Sequence, residues 1–165
     1  MGLSGIGIIG CGAMGTALAR GMIASGEIVP ADLWVYDLDR KKIDNLSNEL
    51  GFQTASGPEQ LLQHCRYIFV AVKPQDVAAA TGAWANLFQP AGHLLISLAA
   101  GVTIKFYEER LPAGSKIIRL MPNTPCLIGE GAIAMSAGKT VNPDEAAEVR
   151  KLLGHLGLIV PVPEK

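Results

Sequence analysis

Neither sign of charge is in excess in this sequence: 14 lysines and arginines stand against 15 aspartates and glutamates, a formal net charge of −1. That balance excludes a broad nucleic-acid surface, which needs clustered positive charge. The run Arg40-Lys41-Lys42 is too short to change this and reads as a solvated helix face. Cysteine is scarce as well. Cys11, Cys65 and Cys126 lie far apart, lack metal-ligand spacing, and are odd in number, so no metal site and no closed disulfide set is expected. A reducing, cytoplasmic setting is the expectation. No apolar run approaches the length of a bilayer span, so no membrane partner is expected. The start Met1-Gly2-Leu3-Ser4-Gly5 has no basic leader and no cleavage signal. Ile6 stands where a myristoylation motif wants Ser or Thr. Internal repeats and low-complexity stretches are missing too.

What is present is an alternation. Of 165 residues 49% are hydrophobic, enough for one sizeable core. Apolar runs of strand length fall near Ile6–Ile9, Leu33–Tyr36, Tyr67–Val72, Leu94–Leu98, Lys116–Met121, Gly131–Ser136 and Leu158–Val162. Helix-length amphipathic segments fall near Met14–Ser25, Arg40–Leu50, Pro58–His64, Gln75–Leu87, Ile104–Arg110 and Pro143–His155. Strands apolar on both faces need cover on both sides. The expected fold is therefore α/β, a doubly wound, mostly parallel sheet with helices on both faces, formed by residues 1–165 as one domain. Pro161 and Pro163 demote the last strand to an edge. The helix after Asn142 has a capping Asn, Pro143 at its first position, then Asp144 and Glu145 at the positive end of the dipole. Its stripe Leu152, Leu153, Leu156 reads as a core face.

The first strand runs into Gly10-Cys11-Gly12-Ala13-Met14-Gly15, and the first helix follows. In a Rossmann-type unit the first glycine allows the tight turn, the second lets backbone approach a pyrophosphate, and the third lets helix and strand pack closely. The helix N-terminus then offers N–H groups to the phosphates. Asp37 ends the next strand at the spacing expected of a ribose-binding carboxylate, roughly 20 residues on. Accepting both ribose hydroxyls, it favours NAD; Arg40, Lys41 or Lys42 pairing with a 2′-phosphate favours NADP. These residues leave that choice open.

Three further segments follow: Ala71-Val72-Lys73-Pro74-Gln75, then Ser97-Leu98-Ala99-Ala100-Gly101-Val102-Thr103, then Arg119-Leu120-Met121-Pro122-Asn123-Thr124-Pro125 with Gly129-Glu130-Gly131. Each starts at or near the C-terminal end of an expected strand, where open α/β sheets bind ligands. Together with the glycine loop, in this order, they resemble pyrroline-5-carboxylate reductase, which makes proline by reducing a cyclic imine with NAD(P)H. The resemblance covers nearly the whole chain, and Met121–Pro125 is its most specific part.

The resemblance implies roles. Gly10, Cys11, Gly12, Ala13, Met14 and Gly15 would hold the pyrophosphate, with Asp37 by the adenosine ribose. Ala71, Val72, Lys73 and Pro74 would run beside the cofactor, and Ala99, Ala100 and Gly101 would flank the nicotinamide. Met121, Pro122 and Asn123 would form the substrate-side wall, although Asn123 between prolines also suits a turn. The implied cofactor is NADP, with NAD admitted by Asp37, and the implied partner is a small-molecule imine. Catalytic groups beyond that wall are not assigned. The thiol of Cys126 reads as a small buried filler, that of Cys11 as a point of sensitivity to thiol reagents, and His64, His93 and His155 as surface or helix-end residues.

The family continues with a helical domain that dimerises and holds the substrate carboxylate; no such segment occurs here. The expectation is a chain that binds cofactor with little turnover, with homo-oligomers confined to a full-length form and an apolar patch exposed near the C-terminus. The alternatives are a non-catalytic nicotinamide-nucleotide module, or another NADP-linked oxidoreductase of the deazaflavin-reducing type, which the Met121–Pro125 run disfavours.

Overall fold

The computed structural model describes residues 5–164; the Met1-Gly2 start lies outside them. Eight strands form one sheet in the order β3-β2-β1-β4-β5-β6-β7-β8. They are β1 (Ile6–Ile9), β2 (Leu33–Tyr36), β3 (Gln53–Thr54), β4 (Tyr67–Val70), β5 (Leu94–Ser97), β6 (Lys116–Met121), β7 (Gly131–Ala137) and β8 (Gly157–Pro161). The helices are α1 (Ala13–Ala24), α2 (Arg40–Leu50), α3 (Pro58–His64), α4 (Val77–Trp84), α5 (Ile104–Glu108) and α6 (Pro143–Leu153). Among the described residues no helix is long and apolar enough to cross a membrane.

Alternating strand residues feed two cores. Ile6, Ile8, Phe69, Leu94 and Ile96 pack on one face with Leu18 and Met22 of α1, Ile43 of α2 and Val149 and Leu152 of α6. Ile9, Ile68, Val70 and Leu95 pack on the other with Leu61 of α3, Trp84 of α4 and Tyr107 of α5. All residues of β1, β4 and β5 are buried, as strands covered on both faces require. Full burial of a side chain such as Leu18 or Phe69 contributes about 1.5–3 kcal/mol.

Strands β1 to β6 are parallel, β6 and β7 pair antiparallel, and β8 returns parallel to β7. The reversal after β6 runs through a tight turn, Thr124–Ile128, ended by Gly129 at φ +77°. Gly131 then lies against Cys126, where a Cβ would come within 2.8 Å of the Cys126 Cα. Cys126 is the buried filler expected of it, 1% exposed.

Several expected boundaries shift by a residue or two. The α4 region is a short α-helix between two tight turns, Pro74–Asp76 and Ala85–Leu87. The two-residue β3 carries no apolar run and escaped the periodicity reading. The cap of α6 forms as expected: Asn142 accepts from the Glu145 amide at 2.8 Å, and the Glu145 carboxylate accepts from the Asn142 amide at 3.0 Å. Leu152, Leu153 and Leu156 are all core.

The decisive feature is the switch in connectivity. From β1 the chain winds outward through β2 to β3, then crosses back to β4 and winds the other way. The segments leaving β1 and β4 therefore diverge around a crevice at the carboxyl ends of the strands, where such sheets bind ligands.

Candidate functional site

Gly10 has φ +101°, and a Cβ there would stand 2.7 Å from the Ala71 carbonyl carbon and 2.8 Å from the Val72 nitrogen. The glycine loop thus packs directly on the segment leaving β4. Gly15 lies against the Gly10 carbonyl, which leaves no room for a side chain. Gly12 differs: a Cβ on it would meet nothing within 4 Å. Its face is open.

No side chain caps α1, and its first turn carries no acid. The first helical bond runs from the Thr16 amide to the Gly12 carbonyl at 2.9 Å. The amides of Ala13, Met14 and Gly15 precede it, so they stand as donors at the positive end of the helix. An open glycine face beside uncapped amides fits a pyrophosphate.

Asp37 couples this loop to the end of β2. Its Oδ2 accepts from the Cys11 amide at 2.6 Å and its Oδ1 from the Asp39 amide at 2.8 Å. Asp39 in turn caps α2, accepting from the Lys42 amide at 3.1 Å. The Cys11 thiol is buried at 0% exposure. Burial pushes its pKa up, with Asp37 adding to the rise, while the Thr16 hydroxyl and Lys42 pull partly the other way. The expected sensitivity to thiol reagents is therefore corrected: the thiol is inaccessible and protonated at neutral pH.

A cleft of about 600 Å³ opens at this edge, within the range of small-molecule sites. It brings together Gly10, Cys11, Gly12, Asp37, Ala71, Val72 and Lys73 of the expected residues. Ala13, Met14 and Gly15 are not in its lining but begin α1 directly after Gly12, and Pro74, also outside the lining, opens the turn before α4. Ala99, Ala100 and Gly101 follow β5, and Met121, Pro122 and Asn123 end or follow β6. They share the carboxyl edge of the sheet but do not line this cleft. Asn123 has a bonded place of its own. Its Oδ1 accepts from the Ala132 amide at 3.2 Å and the Cys126 thiol at 3.4 Å, pinning the reversal after β6.

Sequence reasoning missed the apolar wall of the cleft: Leu38, Pro58, Ala79, Ala80 and Ala83. The alanine-rich face of α4 was the one available signal. Of the three neighbouring bases only Lys42 lines the cleft. Arg40 turns to β3 instead, donating to the Ala55 carbonyl at 2.6 Å and Thr54 Oγ1 at 3.3 Å.

Of the histidines, His64 and His155 stand at helix ends as expected, His64 exposed as the last residue of α3 and His155 in the turn after α6, while His93 is corrected from surface to buried. His93 is 7% exposed, its Nδ1 accepting from the Gln89 amide at 2.8 Å and its Nε2 lying 2.8 Å from the Leu62 carbonyl. His155 packs into the interface of α1 and the turn after α6. His64 stacks on Trp34 with ring centroids 4.2 Å apart. A second cleft, about 540 Å³, lies at the opposite edge of the sheet beside Gly5, Arg66 and Tyr67 and contains none of the glycine-loop residues.

A protein-family profile described as "NADP oxidoreductase coenzyme F420-dependent" matches residues 5–101. Pyrroline-5-carboxylate reductase 3 of Xenopus laevis is 35% identical over 161 residues, covering 96% of this chain and 57% of that protein. The solved structure of a pyrroline-5-carboxylate reductase from Coxiella burnetii aligns with TM-score 0.92 at 30% identity, over 98% of this chain and 60% of that one. The pyrroline carboxylate reductase of Plasmodium falciparum, solved with NADP bound, aligns with TM-score 0.83 at 30% identity, over 99% and 59%. The chain thus spans little more than half the length of the curated relatives it matches.

Proposed function

The chain belongs to the NADP oxidoreductase family whose profile it matches, and from that premise we propose that it is the cofactor-holding half of a pyrroline-5-carboxylate reductase. The observation that carries the reading is the cleft at the switch between β1 and β4, lined by Gly12 with its open face, which the uncapped amides of α1 directly follow in the chain. The relatives named above support NADP as its dinucleotide. When bound, the reduced nicotinamide supplies the hydride that converts the cyclic imine to proline.

The chain's own residues bind and orient. The amides of Ala13, Met14 and Gly15 take the pyrophosphate. Leu38, Pro58 and the alanines of α4 offer the adenine an apolar wall. Ala71, Val72 and Lys73 lie alongside the dinucleotide as it crosses the edge of the sheet. Small residues at Ala99, Ala100 and Gly101 admit a flat ring close to backbone, and Met121, Pro122 and Asn123 wall the imine side. Orientation of the ring against the imine carbon is the main catalytic contribution of such a half-site.

The free, buried thiols of Cys11, Cys65 and Cys126 fit a cytoplasmic setting. Homo-oligomers belong to a longer form that carries the rest of the relatives' length. Leu127, Ile128, Leu158 and Val160 are exposed apolar side chains that such a remainder would cover.

The test is calorimetric titration of this chain with NADPH, beside NADPH oxidation by pyrroline-5-carboxylate for this chain and for one extended to the relatives' full length. Binding by both and imine-dependent oxidation by the longer chain are expected. Binding without oxidation in the longer chain would favour a non-catalytic nucleotide module, and no binding at all would remove both readings.

A further inference from the structure

We propose that Lys42 selects NADP over NAD by pairing with the adenosine 2′-phosphate, and that Asp37 is a positioning residue of the glycine loop that takes no part in the choice. This rests on reading the cleft as a nicotinamide-dinucleotide site.

The carboxylate at the end of the second strand is placed, by sequence pattern, on the ribose hydroxyls. Here its two oxygens are already engaged with backbone. Oδ2 takes the Cys11 amide at 2.6 Å, a short charge-assisted bond, and Oδ1 takes the Asp39 amide at 2.8 Å. The Cys11 amide is therefore turned toward Asp37 and not toward a phosphate. What Asp37 fixes is the pose of Cys11 and Gly12 relative to the loop that starts α2. Any dinucleotide benefits from that pose, phosphorylated or not.

The cation for a 2′-phosphate must then be found among three neighbours. Arg40 is tied to the Ala55 carbonyl and Thr54 Oγ1, with Asp44 3.7 Å from its Nε. Lys41 does not line the cleft. Lys42 does, together with Asp37 and Leu38, and among the described residues no carboxylate lies within ion-pair reach of its ammonium. Its charge is near enough to act on the thiol of Cys11, which lines the same cleft. Among the described residues the geometry thus leaves one exposed base without an ion-pair partner at the adenosine end of the cleft. NADH presents nothing for it to hold.

The experiment is equilibrium titration of NADPH and NADH against the wild-type chain, Lys42→Met and Asp37→Asn, with adenosine 2′,5′-bisphosphate as a competing probe. Lys42→Met is expected to weaken NADPH and the bisphosphate about tenfold, the loss of one charged hydrogen bond, and NADH less than about twofold. Its exposed site makes misfolding no concern. Asp37→Asn is expected to weaken both dinucleotides by a similar factor and to speed labelling of Cys11, read by peptide mapping. An unchanged NADPH-to-NADH ratio in Lys42→Met overturns the proposal, as does a ratio that moves in Asp37→Asn. A wild-type chain that prefers NADH overturns it while leaving the proposed function standing; a wild-type chain that binds neither overturns both.

Discussion

The imidazole of His155 stands where a side chain on Gly21 would go: a Cβ built on that glycine would overlap Cδ2 of the ring. Gly21 lies in the third turn of α1, and His155 in the tight turn Gly154–Leu156 after α6. The pair is therefore part of how the last helix seats against the helix that carries the glycine loop.

Gly21→Ala is expected to lower the melting temperature. The methyl gains roughly 1 kcal/mol of helix propensity, but pressing on a buried ring costs about 2–3 kcal/mol. Thermal denaturation of the variant decides it, and an unchanged or higher midpoint would sink this packing account.

His155 should also make stability depend on pH near neutrality. Burial pushes its pKa below the ordinary 6.5, the nearby carbonyls of Leu152 and Ala17 offsetting this only in part. Among the described residues neither ring nitrogen has a hydrogen bond of normal geometry. The unfolded chain therefore takes up a proton before the folded one does. Stability is full above the ordinary value and falls as pH drops through it toward the folded value. Denaturation midpoints between about pH 7 and pH 5 should decline in the wild type and flatten in His155→Gln. Parallel slopes would exclude His155 as the cause.

A second, more acidic window belongs to Glu145. This buried carboxylate accepts from Lys116 Nζ at 2.8 Å and Arg66 Nη2 at 3.1 Å while closing the cap of α6. It thereby ties α6 to the starts of β4 and β6. Burial pushes its pKa up, but Lys116, the Asn142 amide and Arg66 together bring it below the ordinary carboxylate value. Its contribution is present above that value and is lost as pH falls through the lowered one. Glu145→Gln keeps a residue able to close the cap yet removes the charge, and should cost about 1.5–3 kcal/mol in urea denaturation at neutral pH. A loss within experimental scatter would mean the two bases are equally well served by water.

The glycines of the loop should separate folding from binding. Gly10→Ala forces a Cβ against the Ala71 carbonyl at a φ that side chains avoid, so both stability and NADPH binding should fall. Gly12→Val meets open space, so its melting temperature should stay within about 1 °C of wild type for want of any lost contact. NADPH titration of Gly12→Val should nonetheless show little binding, because the side chain takes the phosphate's place. Retained affinity there would move the pyrophosphate off this loop.

Much of the fold was legible because periodicity and burial share one cause. Ile6–Ile9 and Leu94–Ser97 are buried throughout because both sheet faces are covered, and their nearly unbroken apolar runs, Ser97 apart, show it directly in the residues. The cap of α6 was legible for a similar reason: Asn142, Pro143 and Glu145 act within one turn. β3 was not, because two half-exposed residues pairing with β2 carry no pattern of their own. His93 and the Cys11 thiol were read as accessible, and only the packing of neighbours distant in sequence shows them buried.

The residues alone determined that strand, glycine loop and helix follow one another, since backbone reach, uncapped amides and missing side chains are local properties. They could nominate Asp37 and three bases for the adenosine end but not rank them. That ranking depends on where separate segments meet. The tertiary structure turned Asp37 onto the Cys11 amide, drew Arg40 to the Ala55 carbonyl and left Lys42 over the cleft. Hydrogen bonds across 26 and 15 residues of chain made that choice, and no reading of adjacent positions contains them.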